Sequence, residues 1–355
     1  MNLLDFLTPY PDVAKREGPD NAIIISSRVR LARNLKNFSF PGWATKQDRI
    51  RAMDLMRPAV ENLPQMKDGF STIMDELSPI DKQLLVERHL ISREHAVKSS
   101  GSAVVISKGE VFSIMINEED HLRMQALLPG FQLESAYNKI DEVDTLLEKQ
   151  LDYAFSPRLG YLTACPTNVG TGIRVSAMLH LPGIVLSEQI NQIIQAVNKL
   201  GLAVRGLYGE GTDALGNIFQ VSNQQTLGEE ELQILERLQK VVAQVVEHES
   251  NARALLLEKQ KTAVLNHIGR AYGILANAYS MSSKEAMNLL SLLKLGVDYG
   301  FFPDATRSLV DELFLICQAG HLQKLYPNTG EPEQRDIVRS NIIREKLKDI
   351  KGTIV

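Results

Sequence analysis

The sequence changes texture once, near residue 226, and that change limits the possible fold more than any other feature. Before it, short apolar runs mix with amphipathic stretches; beyond about residue 250 only helix signals remain. Residues 22–26 (Ala-Ile-Ile-Ile-Ser) read as a buried strand. Residues 102–107 and 111–116 are two further apolar runs, and Lys108-Gly109-Glu110 between them reads as a hairpin turn. Strand-like runs recur at 202–207 and 217–222. Helical spacing marks 141–155, with Asp141 as a possible cap, and the stretch from Ser187 to Gly201. Thr226 and Glu229 form a capping-box pattern before a long helix whose apolar face carries Leu232, Leu235, Leu238, Val242 and Val245. Ser282 and Glu285 repeat the pattern ahead of Leu289, Leu292, Leu293 and Leu295, and 305–326 and 333–350 read as helices too. The expectation is an α+β protein, with a mixed domain over residues 1–252 and an all-helical domain over 253–355.

Composition narrows the function. A length of 355 residues fits about two domains. The 39 Lys+Arg and 43 Asp+Glu leave a net charge of −4, which argues against a dedicated nucleic-acid binder. Two cysteines, Cys165 and Cys317, allow neither a disulfide framework nor a multi-cysteine zinc site, and fit a reduced, intracellular setting. The start, Met-Asn-Leu-Leu-Asp-Phe, does not read as a targeting signal, and no uninterrupted apolar run is long enough to span a bilayer. A cytoplasmic protein with no membrane partner is expected. The P-loop, the complete G-x-G-x-x-G, the H-E-x-x-H and the protein-kinase loop motifs are all missing.

What remains is arginine set among serine and glycine. Ser26-Ser27-Arg28-Val29-Arg30 follows the first strand, and strand periodicity puts Arg28 and Arg30 on one face. They are either two solvated arginines on an edge strand or a clamp for an anion such as a triphosphate. Asn117-Glu118-Glu119-Asp120-His121-Leu122-Arg123 ends the hairpin, as a solvated turn or as a base and a phosphate ligand. Arg174 follows Gly170-Thr171-Gly172-Ile173, where glycines permit close approach to a ligand. Arg205 leads into Gly206-Leu207-Tyr208-Gly209-Glu210, which places a second carboxylate on an accessible loop. Cys165 has hydroxyl and amide neighbours suited to a thiolate, whereas Cys317 reads as a core residue. Five arginines, two carboxylates and a thiolate would suit phosphoryl transfer from a polyphosphate to a cationic guanidinium acceptor.

Residues 27–33, 117–121, 160–174 and 205–223 resemble, in order, the motifs of the phosphagen (guanidino) kinases. The resemblance implies an antiparallel sheet flanked by helices, with ATP and Mg²⁺ as cofactors. It implies that Arg28, Arg30, Arg123, Arg174 and Arg205 bind the ATP phosphates and that His89 packs on adenine. The segments Ser26, Ser27 and Val29, then Val175, Ser176, Ala177 and Met178, then Gly206, Leu207, Tyr208, Gly209 and Glu210 would line the nucleotide site. Glu119 and Glu210 would hold the guanidinium, one of them as base, with Cys165 facing it.

Two departures matter. The Ser-x-Arg-Val-Arg motif begins at residue 27, where the family has a small helical domain first, and a helical region follows residue 250. Tyr208 also stands where the family's small-substrate loop places an arginine. These features are similar to the bacterial branch that phosphorylates arginine side chains of proteins. That branch implies a heat-shock repressor and misfolded proteins as targets, a Clp-type protease and an activator protein as partners, and a homodimer. A kinase of free arginine, or a phosphoarginine-binding adaptor without turnover, are the alternative readings. Arg335-Asp336-Ile337-Val338-Arg339-Ser340 resembles the branch's phosphoarginine pocket, with Ser340 in place of its alanine. Arg335 and Arg339 share a helix face, where like charges repel unless an anion binds. The other reading is a solvated helix in which Asp336 pairs with Arg339.

Overall fold

The computed structural model describes residues 1–7, 18–98, 100–206, 214–326 and 328–352. In chain order it contains β1 (Ile24–Arg33), α1 (Lys46–Glu61), β2 (Phe70–Ile73), α2 (Pro79–Glu87), α3 (Arg93–Ala96), β3 (Ala103–Ile106) and β4 (Phe112–Ile116). Then come β5 (Leu122–Pro129), α4 (Leu133–Glu148), β6 (Phe155–Ser156), β7 (Gly160–Tyr161), β8 (Ile173–His180), α5 (Pro182–Leu186), α6 (Ile190–Lys199), β9 (Leu202–Gly206) and β10 (Ile218–Asn223). Helices follow: α7 (Glu231–Lys259), α8 (Lys261–Asn277), α9 (Ser283–Asp298), α10 (Arg307–Ile316), α11 (Ala319–Leu325) and α12 (Pro332–Leu347).

Eight strands form one sheet in the order β2-β3-β4-β5-β1-β8-β10-β9, and β6 pairs with β7. Pairings β2–β3, β3–β4, β4–β5 and β5–β1 are antiparallel. The β3–β4 hairpin turns at Gly109 and Glu110, both at positive φ, a twist that matches the strands it joins. The expected α+β class, an antiparallel sheet with helices and a helical C-terminal region, is the observed one. Among the described residues no helix is long and apolar enough to cross a membrane.

Packing groups the chain into two units that are discontinuous in sequence: Met1–Pro19, Ser26–Ala177 and Ser222–Lys240, and then Asp20–Ile25, Met178–Val221 and Val241–Val355. A boundary near 252 follows the change of secondary-structure class, whereas these units follow contact. The first unit buries Phe6, Met74, Leu84, Leu85, Leu90 and Ile106 together. The second buries Ile268, Leu275, Leu290, Leu293, Val310, Leu313 and Ile343 between its helices. Each such side chain contributes about 1.5–3 kcal/mol on leaving water. In the second unit Glu249 accepts from the Gly183 and Ile184 N–H groups, both at 2.8 Å, satisfying the start of α5.

Three local expectations are corrected by the tertiary contacts. Helix α4 starts at Leu133, well before Asp141, because its buried stripe Leu133, Ala136, Ile140, Val143 and Leu147 begins directly after the turn at Gly130. Ser187 closes α5, its Oγ donating to the Gly183 carbonyl at 2.7 Å, and does not cap α6. Thr226 caps nothing: its Oγ1 donates to the Thr167 and Val169 carbonyls at 3.1 and 2.7 Å, α7 starts at Glu231, and Leu232 is exposed. Ser282 does cap α9, accepting from the Glu285 N–H at 3.2 Å.

Candidate active site

Strand alternation turns Val29 and Leu31 into the core and leaves Ser26, Arg28 and Arg30 half-buried on the opposite face of β1. The β1–β5 register sets Gln125 opposite Arg30 and Arg123 opposite Ala32, so Arg123 joins that face from the next strand. Arg174 enters from β8 and donates to Ser222 Oγ at 3.1 Å. Burial, with the charges of Arg123 and Arg174, pulls the Arg28 guanidinium down to about 10. Arg30 is pulled well down by burial and by Arg28, Arg123 and Arg174, with Glu118 opposing. Guanidinium groups do not give up their proton in proteins, so the repulsion persists until an anion offsets it. The Nε atom of Arg30 is buried without a hydrogen-bond partner. Forked donors converging in this way fit the oxygens of a triphosphate.

His89 follows α2 at a φ of 60°, and its carbonyl accepts from Gln125 Nε2 at 2.7 Å, fixing the turn to β5. Burial and the charge of Arg28 lower its imidazole to about 4, so the ring is neutral at physiological pH and suited to stacking on a base. Other residues expected in the nucleotide site hold the scaffold. Ser27 Oγ donates to the Gly130 carbonyl and accepts from the Gln132 N–H. Val175, Ser176 and Ala177 are buried in β8, and Met178 packs with Ile218 and Met287 in the second unit. Arg205 is exposed on β9 of that unit, and Gly206 ends the strand. Leu207, Tyr208, Gly209 and Glu210 lie outside the described residues.

The acidic turn after β4 separates its three carboxylates. An Asn117 N–H to His121 carbonyl bond of 2.9 Å closes it. Glu118 is fully buried, bound by Arg123 Nη1 and by Ser92 Oγ, each at 2.5 Å. Burial alone would raise its carboxyl, but Arg123 and these hydrogen bonds outweigh it and hold it down to about 2. Glu119 is exposed, and partial burial with the charges of Asp120 and Glu118 raises its carboxyl. A raised carboxylate beside cations has the character of a general base.

Asp120 is the residue that sequence reasoning missed. Its Oδ1 accepts from Asn34 Nδ2 at 2.6 Å and from the Ala164 N–H at 2.7 Å, tying the acidic turn to the segment that carries Cys165. Cys165 is half-exposed, with Thr167 Oγ1 at 3.0 Å from its Sγ. Arg33 holds the same segment from below: it pairs with Asp144 at 2.6 Å, donates to the Thr171 carbonyl at 2.8 Å and stacks on Tyr161 at 3.6 Å. Gly170 and Gly172 stand where backbone packs closely. A Cβ on Gly172 would come within 2.6 Å of the Ala32 carbonyl, and one on Gly170 within 2.8 Å of the Thr226 carbonyl. A hint of Arg33's separate role was available, since it stands an odd number of residues from Arg30 and so faces the other way.

The C-terminal motif lies on α12, with Pro332 in its first turn as expected. Arg335 Nη1 donates to the Thr329 and Gly330 carbonyls at 3.2 and 2.5 Å. Arg339 is buried, donating to the Cys317 and Met281 carbonyls at 2.9 and 2.7 Å and pairing with Asp336. The Asp336–Arg339 pair thus forms, but against the core and not in solvent. Ser340 is fully buried, while Ile337 is exposed. Cys317 is a core residue as expected, its thiol pushed up to about 12 by burial.

Residues 51–252 match the family described as ATP:guanido phosphotransferase, C-terminal catalytic domain. Residues 261–354 match the protein-arginine kinase McsB C-terminal domain. A protein-arginine kinase of Halothermothrix orenii is 44% identical over 331 residues, covering 93% of this chain and 95% of its own. That of Geobacillus stearothermophilus is 46% identical over 335 residues, covering 94% and 92%. Among solved structures, lombricine kinase shares the fold with a TM-score of 0.58 at 23% identity, covering 69% of this chain and 72% of that one. Similarity along nearly the whole length, over both the catalytic and the C-terminal regions, means that the chain belongs to the protein-arginine kinases among the ATP:guanido phosphotransferases.

Proposed function

We propose that the chain transfers the γ-phosphoryl group of ATP to arginine side chains of proteins. The observation that carries this reading is the crowding of Arg28, Arg30, Arg123 and Arg174 beside a turn that exposes Glu119. The arginines would bind the phosphate oxygens and offset the charge that develops during transfer. Glu119 would orient the acceptor guanidinium and take its proton as the N–P bond forms and the bond from γ-phosphorus to the bridging oxygen breaks. Mg²⁺ prefers oxygen donors and keeps much of its water, so the phosphates would carry it, and bound there it adds charge neutralisation. Arg205 as a fifth phosphate ligand, Glu210 as a second carboxylate, His89 on adenine and Cys165 facing the guanidinium are assigned by resemblance.

The same resemblance supports a heat-shock repressor and misfolded proteins bound for a Clp-type protease as targets in a stress response. It also supports an activator protein as partner, a cytoplasmic location and a homodimer. It supports a phosphoarginine pocket on α12, in which Asp336, oriented by Arg339, would meet the guanidinium and Arg335 the phosphate. Loss of phosphoarginine binding in Asp336→Ala, measured by calorimetry, checks that pocket. The central test is incubation with ATP and either a denatured protein or free arginine. Acid-labile phosphate on protein arginines is the expected result; label on the free amino acid alone would overturn the reading.

A further inference from the structure

The turn that carries His89 is held by two sets of contacts, and one of them reaches back to Phe6. The first set comes from the sheet: Gln125 Nε2 on β5 donates to the His89 carbonyl at 2.7 Å, and Ser113 Oγ on β4 donates to the Leu90 carbonyl at 2.5 Å. The second centres on Arg88, the residue directly before His89, which is only 2% exposed. Its Nε lies 3.1 Å from both carboxylate oxygens of Glu110, and its Nη2 donates to Glu110 Oε1 at 2.6 Å. Its Nη1 donates to the Phe6 carbonyl at 3.0 Å, with the guanidinium carbon 6.0 Å from the centre of the Phe6 ring. Phe6, in the single helical turn Leu3–Leu7, is fully buried with Leu84, Leu85 and Leu90 and meets Phe70 edge-on at 5.4 Å.

Both ends of the Arg88–Glu110 link lie on backbone that few side chains adopt. His89 has a φ of 60° and Glu110 a φ of 62°, left-handed conformations that persist only where the surroundings over-determine them. Stability alone does not call for the ion pair, because an apolar pair of similar volume fills such a space without desolvating two charges. What the Arg88 fork adds is direction, since two nitrogens on one carboxylate fix both distance and angle. The residue before His89 is thereby tied to the β3–β4 hairpin in one orientation, and the Phe6 carbonyl engages its third nitrogen. The charge of Arg28 acts on the His89 imidazole, which places the ring close to the arginine face. A rotation of this turn moves the ring and leaves the arginines on β1, β5 and β8 where they are.

We propose that Arg88 is a positioning residue for the nucleotide base: held by Glu110 and the Phe6 carbonyl, it fixes the backbone at His89 and so sets where that ring meets adenine. The proposal rests on the reading of His89 as the adenine contact and adds to it the device that aims the ring. The arginines on the strands bind the phosphates, so the device acts on affinity for the base and not for the triphosphate.

The test measures binding of two probes to the full-length protein by calorimetry: ATP, and inorganic tripolyphosphate, which offers phosphates without a base. The first variant replaces the pair by apolar residues, Arg88→Met with Glu110→Leu, and leaves no buried charge behind. Its dissociation constant for ATP should rise about tenfold, within the usual worth of one stacked base, while that for tripolyphosphate stays within about twofold. Glu110→Gln keeps the shape of the pair but loosens the fork, so the same selective loss should appear at smaller size. In turnover, KM for ATP should rise by a larger factor than kcat falls. His89→Ala is the reference and should lose at least as much ATP affinity as the double variant. Unchanged ATP binding in both the double variant and Glu110→Gln, or an equal loss of ATP and tripolyphosphate, would overturn the positioning role while leaving the reading of His89 intact. Unchanged ATP binding in His89→Ala would overturn that reading and the proposal with it.

Discussion

Arg30 and Arg33 stand three residues apart on one strand, yet the two faces of the sheet surround them with opposite charges. Arg30 faces Arg28, Arg123 and Arg174, which lower its guanidinium together with burial. Arg33 is more deeply buried, but Asp144, on the helix that covers its face, more than compensates and raises it. One face keeps a repulsion that an incoming anion can offset, and the other has already matched its cation. Glu118 and Glu119 repeat the contrast one residue apart, the first satisfied inside by Arg123 and the second exposed. Stored electrostatic cost marks the binding face, and satisfied charge marks the scaffold.

Substitutions can break or sharpen this contrast. The largest effect is expected for Glu119→Gln, with kcat falling about 10²–10⁴-fold, the usual share of a general base. Its melting temperature should match that of the unmodified protein, since an exposed carboxylate holds nothing together; a clear drop in melting would place Glu119 with the scaffold. Arg33→Ala leaves Asp144 charged and buried, and should cost about 3–5 kcal/mol of stability by chemical denaturation. Arg30→Ala removes one member of a repelling group, so it should weaken ATP binding about 10–100-fold by calorimetry without lowering stability. Equal destabilisation by the two arginine substitutions would erase the distinction between the faces.

The smallest effect is in pH. Burial is the main cause holding His89, His95 and His121 at about 4, against about 6.5 in an unfolded chain. Between those values the unfolded state binds more protons, so stability should decline as pH falls from about 6.5 toward 4. The loss is at most about 1.4 kcal/mol per group per pH unit. Thermal melting across that window, with histidine ring resonances followed by NMR, measures it; rings that titrate near their unfolded value would contradict the burial.

How much of this was legible in the sequence follows from the range of each interaction. The shared face of Arg28 and Arg30 is a matter of strand period, and the Ser282 cap of a three-residue spacing, so both could be read directly. Thr226 and Glu229 satisfied the same capping rule and misled, because distant carbonyls at Thr167 and Val169 compete for the threonine hydroxyl. In Glu118-Glu119-Asp120 the acids look alike in sequence. Only Arg123 and Ser92, then Asn34 and Ala164, decide which is buried, which is exposed and which ties two segments together.

The α12 motif shows where local information stops. Helical phase places Arg335 and Arg339 on adjoining turns, and that much follows from 3.6 residues per turn. Whether they face solvent, an anion or the core depends on what packs against the helix. Here the Cys317 and Met281 carbonyls, supplied by other helices and turns, engage Arg339. Chain periodicity therefore sets the class of the elements and the parity of their faces, since both depend on neighbours a few residues away. The environment of each charge is set by groups such as Asp144, 111 residues from Arg33, that only folding brings into reach.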